Sequence, residues 1–494
     1  LWERVSSLAA ALRNTLSLDR GDRVTVLAHN APESIEIALA AGQAGIPAIP
    51  INYRSTFDEL EYVVRDSGAK AVFFGTEFAP TLARARLPEH VHRIEIGGCT
   101  STESDAVRYE SLFGDHGPPP EPDPASRISS IRYTSGTTGR PKAARRDFDA
   151  AQYKALFSTL IEEFGYGEND VHLVGCPLYH SAPPTFSSMS HWVGGAIVVM
   201  PSFDARQWLQ NVQEHRVRSA FIVPTILRRL LDLGPETISR YDTSSLRNVV
   251  IAAAKCPAQW KIEVTRVFGD VFYEFYGTTE SSVNTIAKPV DFARNPESCG
   301  VAFPGNEIKI LDDDGNPCAQ GDAGEICVRN GSLITEYENA PEKTRESFTA
   351  DGFYRTGDIG HVDDEGFYYI VDRKKDMIIS GGVNIYPAEI EAVFREHPAV
   401  KDVGVVGIPD EHWGESIQAV LVIDVENGCD EEALRAFAQA HLADYKRPRV
   451  YRFLEQLPYT PEGKLRKPDL RQPNLAVQSA GEASVSGQEA GIKE

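Results

Sequence analysis

Tyr133-Thr134-Ser135-Gly136-Thr137-Thr138-Gly139-Arg140-Pro141-Lys142 is the stretch on which the reading of this chain turns. It follows the apolar strand pattern Ile128–Tyr133 and packs hydroxyls, two glycines and two cations into one short loop. Glycine lets backbone N–H groups turn toward a ligand. Hydroxyls and cations complete a cradle for phosphate oxygens. The spacing is not that of Walker A, which needs four residues between its glycines and Lys-Ser/Thr after them, and no G-x-G-x-x-G occurs in the chain. The loop therefore predicts a nucleotide phosphate site of another kind.

Outward from this loop, short apolar runs alternate with helical spacing. Arg23–Ala28, Ala71–Gly75, Val171–Cys176, Ala196–Met200, Ala220–Val223, Val249–Ala253 and Val271–Tyr276 read as strands, several of them continuously apolar as in a buried parallel sheet. Trp208–His215 and Thr225–Leu233 have the period of helices. Beyond about residue 300, Ile308–Leu311 and Ile326–Arg329 flank an Asp- and Gly-rich turn and predict a hairpin, and Gly366–Val371 is a further strand. Pro387 then opens a helix with Ile390, Val393 and Phe394 on one face. Strands Val403–Gly407 and Ala419–Ile423 and a helix over Glu431–Leu442 complete a smaller α/β unit. From about Gln472 the chain is rich in Ala, Gly, Ser and Glu, the composition of a disordered tail. No internal repeat is present.

The 494 residues exceed one small core. Fifty basic against seventy-one acidic residues give a formal charge of −21, which argues against a nucleic-acid partner. Seven scattered cysteines, without C-x-x-C spacing, predict reduced thiols and a cytoplasmic location rather than structural zinc or a disulfide framework. No apolar run approaches the ~20 residues of a membrane span. The opening Leu1-Trp2-Glu3-Arg4 is not a signal peptide, and without an initiator Met some N-terminal sequence is expected to be missing.

The phosphate loop resembles that of the adenylate-forming superfamily, which includes acyl- and aryl-CoA synthetases, luciferases and the adenylation domains of peptide synthetases. Further motifs follow in the family's order: Pro177-Leu178-Tyr179-His180, Tyr273-Glu274-Phe275-Tyr276-Gly277-Thr278-Thr279-Glu280, Gly324-Glu325-Ile326, Tyr354-Arg355-Thr356-Gly357-Asp358, Asp372-Arg373-Lys374-Lys375-Asp376 with Ser380-Gly381-Gly382, and Thr460-Pro461-Glu462-Gly463-Lys464. The resemblance runs from about residue 20 to 470 and falls in the acyl-CoA synthetase branch. It implies an α/β fold: a large N-terminal domain of sheets flanked by helices with a small β-barrel-like part (1–374), a small mobile C-terminal α/β domain (375–471), and the tail (472–494). The active site is then expected in the cleft between the domains.

The resemblance also assigns roles. Thr134, Ser135, Gly136, Thr137, Thr138, Gly139 and Lys142 would cradle the phosphates of ATP. Ala254, Tyr276, Gly277 and Thr278 would lie along the adenine, and Asp358 would accept from the two ribose hydroxyls. Thr279 would donate to the α-phosphate and Glu280 would hold Mg²⁺, a hard ion that takes few carboxylates. Arg373 is expected near the nucleotide, and Lys375 at the interdomain hinge, followed by Ser380, Gly381 and Gly382. Lys464 would stabilise charge developing during adenylation. His180 would be the gate that admits a thiol, that of coenzyme A first and of a carrier protein as the alternative. The spacing from Asp358 to Asp372 carries no insertion, which favours coenzyme A.

His180, Ser181, Phe186, Met189, Ala252, Ala253, Gly277, Thr278 and Val283 are the expected acyl-pocket residues. None is charged when His180 is neutral, and His180-Ser181-Ala182-Pro183-Pro184 offers no Asp for an α-amino group. The expected substrate is a neutral, mostly apolar carboxylic acid. Ile251-Ala252-Ala253-Ala254 stands where many relatives carry glycine, which leaves the pocket's shape open. Chain length, ring content and oligomeric state are also open, a homodimer among the options.

Overall fold

A computed structural model describes residues 1–97, 106–121, 127–134, 141–380, 383–410, 413–424, 429–459 and 465–472. The chain divides into two compact units, Leu1–Ile370 and Val371–Glu494, and the division falls within the strand Tyr368–Arg373.

Two open sheets organise the larger unit. The first runs Ala48–Pro50, Val24–Leu27, Ala71–Gly75, His92–Ile96, Val107–Arg108, parallel throughout. Val24–Leu27 and Ala71–Gly75 are buried at every position, as strands covered on both faces must be. The second has seven strands. Ala196–Val199, Val171–Val174, Ser219–Ile222, Asn248–Ile251 and Phe272–Thr278 are parallel, and Ser282–Ala287 and Val301–Ala302 close it antiparallel. Helices with local start signals connect them. Phe57–Ser67 begins in a Thr56/Glu59 capping box, and Ala205–His215 starts at Asp204, whose side chain accepts from Gln207 N.

The expectation of parallel sheet fails at Ile128–Thr134. That strand pairs antiparallel with Lys142–Phe148, and Glu336–Tyr337 adds a third strand. Lys-Ala-Ala-Arg-Arg-Asp-Phe has no apolar alternation, so its strand was not legible. The hairpin expected around Asp312–Asn316 is present: Glu307–Leu311 pairs antiparallel with Gly324–Arg329 in a four-stranded sheet with Tyr354–Val362 and Tyr368–Arg373.

The main core lies around the seven-stranded sheet, where Phe186, Phe221 and Phe275 stack at 5.3–6.3 Å between ring centroids. One charged pair enters it. Lys261 contacts Glu274 and donates to Ser298 O at 2.8 Å, tying helix Ala258–Phe268 to the sheet. Burial pushes the Glu274 carboxyl up, and the lysine opposes that shift.

In the smaller unit, Val400–Asp410 and Gly414–Ile423 form a long antiparallel pair flanked by Ile378–Ser380, Val383–Ile385 and Val450–Phe453. Helix Pro387–Arg395 buries Ile390 and Phe394 against them, and helix Glu431–His441 buries Leu434 and Ala438. The expected tail lies outside the described residues apart from Gln472.

Candidate active site

The phosphate loop is the connection of an antiparallel hairpin. Thr134 pairs with Lys142, Arg132 with Ala144 and Ser130 with Arg146. Directly paired residues share a sheet face, so Lys142, Arg132 and Arg146 form a cationic stripe running away from the loop. Ser135, Gly136, Thr137, Thr138 and Gly139 lie outside the described residues. Burial brings both guanidinium pKa values down to about 10, and Glu280 pushes that of Arg146 the other way. Arg146 donates to Thr279 O, so the hairpin is joined to the second nucleotide motif. Sequence reasoning missed these arginines, because no spacing rule marks a half-buried cation on a strand.

That second motif occupies the turn between Phe272–Thr278 and Ser282–Ala287. Gly277 is required there: a Cβ would fall 1.9 Å from Ser282 O. The Thr278 hydroxyl accepts from Glu280 N at 3.2 Å and Ser281 N at 3.1 Å, which commits it to holding the turn. Glu280 Oε1 accepts from Tyr337 OH at 3.0 Å, and Tyr337 OH meets Tyr354 OH at 3.1 Å. Burial, then the Glu280 charge, push both phenol pKa values up. Tyr337, 57 residues from Glu280, lies in none of the motifs, and Tyr354, which opens the motif ending in Asp358, gave no sign of this contact.

Asp358 is buried on the strand Tyr354–Val362, and its Oδ2 accepts from Tyr276 OH at 2.7 Å. Its own N–H donates to Thr356 Oγ1 at 3.1 Å, and that hydroxyl donates to Ile326 O at 2.7 Å. Burial and the Asp358 charge hold the Tyr276 phenol well above its ordinary range. The structure thus brings together Tyr276, Gly277, Thr278, Thr279, Glu280 and Asp358, with the Thr134/Lys142 hairpin joined to them through Arg146.

The expected acyl-pocket residues divide. Phe186, Met189, Ala252 and Val283 are buried in the main core. Ala253 and Ala254 are exposed past the end of Asn248–Ile251, and Ala253 takes φ +76°, a left-handed conformation for a residue with a Cβ. Ser181 precedes helix Ala182–Trp192, and its carbonyl accepts from Thr185 Oγ1 at 2.8 Å. His180 packs on Tyr179 at 4.2 Å between centroids, and Tyr179 meets Tyr53 edge-on at 5.3 Å.

In the smaller unit, Arg373 ends its strand exposed and Lys375 is exposed in the turn Lys374–Asp376. Asp372 beside them is buried and accepts from Arg373 N and from Ala388 N, at the start of helix Pro387–Arg395. Ser380 pairs with Val383 and Gly414. Gly381, Gly382 and Lys464 lie outside the described residues.

A two-unit α/β fold with this motif order defines an adenylate-forming enzyme, and comparison with known proteins agrees. Residues 1–338 match the AMP-binding enzyme family and residues 389–464 its C-terminal domain. The chain is 34% identical over 477 residues to the long-chain-fatty-acid–CoA ligase FadD13 of Mycobacterium tuberculosis, covering 95% of this chain and 91% of that protein. It is 31% identical to the fatty acid–[acyl-carrier-protein] ligase ScoC of Streptomyces coeruleorubidus, covering 95% and 90%. Among solved structures, ATP-bound MatB from Rhodopseudomonas palustris superposes with a TM-score of 0.83 at 28% identity, covering 95% and 92%. This chain belongs to the AMP-binding enzyme family, in the acyl-CoA ligase branch of the adenylate-forming superfamily. No helix among the described residues is long and apolar enough to cross a membrane.

Proposed function

We propose that the chain is an ATP-dependent acyl-CoA synthetase for a neutral, mostly apolar carboxylic acid. The observation that carries this reading is the Tyr276–Asp358 hydrogen bond, which sets the two nucleotide motifs side by side across 82 residues of sequence. In the first step the acid's carboxylate attacks the α-phosphorus of ATP and pyrophosphate leaves. In the second a thiol attacks the acyl carbon of the acyl-adenylate and AMP leaves.

Asp358, oriented by Tyr276, takes the ribose hydroxyls, while the Tyr276 ring and Ala254 flank the adenine. The hydroxyl of Thr279 donates to the α-phosphate. Thr134, Lys142 and the loop between them hold the remaining phosphates, supported by the positive field of Arg132 and Arg146. Lys464 acts in adenylation, and His180 moves aside for the thiol. Arg373, Lys375 and Ser380-Gly381-Gly382 serve the nucleotide and the change of step.

Glu280 fits a magnesium ion. Tyr337 steadies one of its oxygens, and the other takes no hydrogen bond from a described residue. When bound, the ion neutralises phosphate charge.

Coenzyme A as acceptor is supported by the similarity to FadD13 and by the tight turn Asp363–Phe367, which leaves no insertion between Asp358 and Asp372. The likeness to ScoC favours the second reading, a carrier-protein thiol. Free thiols on all six described cysteines support a reducing compartment such as the cytoplasm. A homodimer is compatible with this reading. Acid-dependent pyrophosphate release, followed by loss of free thiol on adding coenzyme A or a holo carrier protein, tests the activity and separates the acceptors.

A further inference from the structure

Asn284 sits in the middle of the strand Ser282–Ala287 with no accessible surface. Neither its amide nitrogen nor its amide oxygen has a partner, and among the described residues no other amide side chain has both atoms buried and unpaired. An unmade bond of that kind leaves the desolvation of the group unrepaid. Leucine would fill similar space without that penalty, so the carboxamide is open to a partner that arrives.

The backbone shows why the position is special. Tyr276 pairs with Thr285 and Gly277 pairs with Val283, so Asn284 is the extra residue of a β-bulge. Bulges re-aim a side chain and recur beside active sites. This one lies opposite the start of Gly277-Thr278-Thr279-Glu280 and next to Val283, a candidate acyl-pocket residue. It is also held rigidly. Asn284 O accepts from Phe303 N and Asn306 Nδ2, both at 2.9 Å, and Val283 O accepts from Asn306 Nδ2 at 2.7 Å. Phe303 packs on Phe164 at 6.3 Å, and Phe164 on Phe186 at 5.0 Å. Val283, its chain neighbour, and Phe303, which bonds its carbonyl, both belong to the core that holds Phe186, Met189 and Ala252, so Asn284 lies along the strand that borders that core.

We propose that Asn284 determines acid specificity by pairing with a neutral hydroxyl carried by the acid away from its carboxylate. The inference rests on the acyl-activating reading and narrows it. A hydroxyl donates to Oδ1 and accepts from Nδ2, using both halves of the amide. A plain alkyl or aryl end satisfies neither half. A second carboxylate satisfies only Nδ2 and enters an apolar interior without a counter-charge, which is costly.

The test compares acids that differ by one hydroxyl, para-hydroxybenzoate with benzoate and omega-hydroxydecanoate with decanoate. It measures kcat/KM for acid-dependent pyrophosphate release by the full chain with ATP, Mg²⁺ and a thiol acceptor. In at least one pair the hydroxylated acid is preferred by about tenfold or more, because a site built to bond a hydroxyl discriminates strongly against the analogue that lacks it. Asn284→Leu abolishes that preference by slowing the hydroxylated acid and improving its partner, with KM for ATP unchanged. Equal or better use of the unhydroxylated acid by the wild type overturns the proposal, the result expected if water satisfies the amide. Retention of the preference in Asn284→Leu also overturns it. If that variant does not fold, the wild-type preference decides alone. Release with other acids but with none of these four overturns the proposal alone, whereas absence of acid-dependent release with every acid tried removes the acyl-activating reading itself.

Discussion

The phenol of Tyr276, half-buried, donates at 2.7 Å to Oδ2 of the buried Asp358. One of the two carboxylate oxygens assigned to ribose is therefore engaged before a nucleotide binds. The bond orients the carboxylate. Asp358→Ala removes the ribose contact and should cost about 2–4 kcal/mol of ATP binding at ~1.5–3 per charged hydrogen bond. That is a weakening of roughly 30-fold or more at 1.4 kcal/mol per decade. Tyr276→Phe keeps the carboxylate and should act first on stability, lowering the unfolding free energy by about 1–3 kcal/mol. Nucleotide titration and denaturant unfolding of the two variants separate these effects. Unchanged ATP affinity in Asp358→Ala would refute the ribose assignment.

Tyr337 is to Glu280 what Tyr276 is to Asp358. Loss of a hydrogen bond that orients a metal-binding carboxylate typically costs 10–100-fold in metal affinity. Tyr337→Phe should raise the Mg²⁺ concentration for half-maximal pyrophosphate release by about tenfold, and Glu280→Gln by more. A Mg²⁺ titration in which Tyr337→Phe matches the wild type would detach Glu280 from the metal.

Ala253 holds φ +76° on the surface after the strand Asn248–Ile251. A left-handed residue with a Cβ costs about 1–2 kcal/mol. Glycine removes that strain but adds about 0.4–1 kcal/mol of unfolded-state entropy. Ala253→Gly should therefore stabilise the larger unit by about 1 kcal/mol or less, read as a higher denaturant midpoint with an unchanged slope. A lower midpoint would mean that the methyl makes contacts worth more than the strain.

Lys464 and Lys375 are assigned to different steps. Lys464→Ala should slow adenylation by about 10²–10³, the scale for loss of one preorganised donor, and leave thioester formation from presynthesised acyl-adenylate near normal. Lys375→Pro fixes φ in the turn Lys374–Asp376 and should do the reverse. Single-turnover kinetics of each half-reaction decide. Equal slowing of both steps by Lys464→Ala would make that lysine a general binding or structural residue.

The parts of the fold that could be read from sequence were those where burial repeats along the chain. Ala71–Gly75 is apolar at every position because helices cover both faces, and its bounds follow from composition alone. Lys142–Phe148 was unreadable because both of its faces carry charge, Lys142 and Arg146 on one and the paired Arg145 and Asp147 on the other. Motif order located Thr279, Glu280 and Asp358. Tyr276 was named by its motif, but its bond to Asp358, like Arg146 and Tyr337 as partners, depends on contacts made across strands, which spacing does not encode. Asn284 escaped for a related reason: one polar residue in an apolar strand signals nothing until its lack of a partner is seen.

The central claim is that a carboxylate attacks the α-phosphorus of ATP. Its most direct measurement is product analysis of ATP labelled at the α-phosphate, incubated with the full chain, Mg²⁺ and an acid panel that includes hydroxylated members. The account predicts pyrophosphate and an acyl-adenylate in equal amounts when no thiol is supplied, AMP in place of the acyl-adenylate once a thiol acceptor is added, and all of these only with an accepted acid. Formation of ADP, or of AMP at the same rate with and without acid, would contradict it.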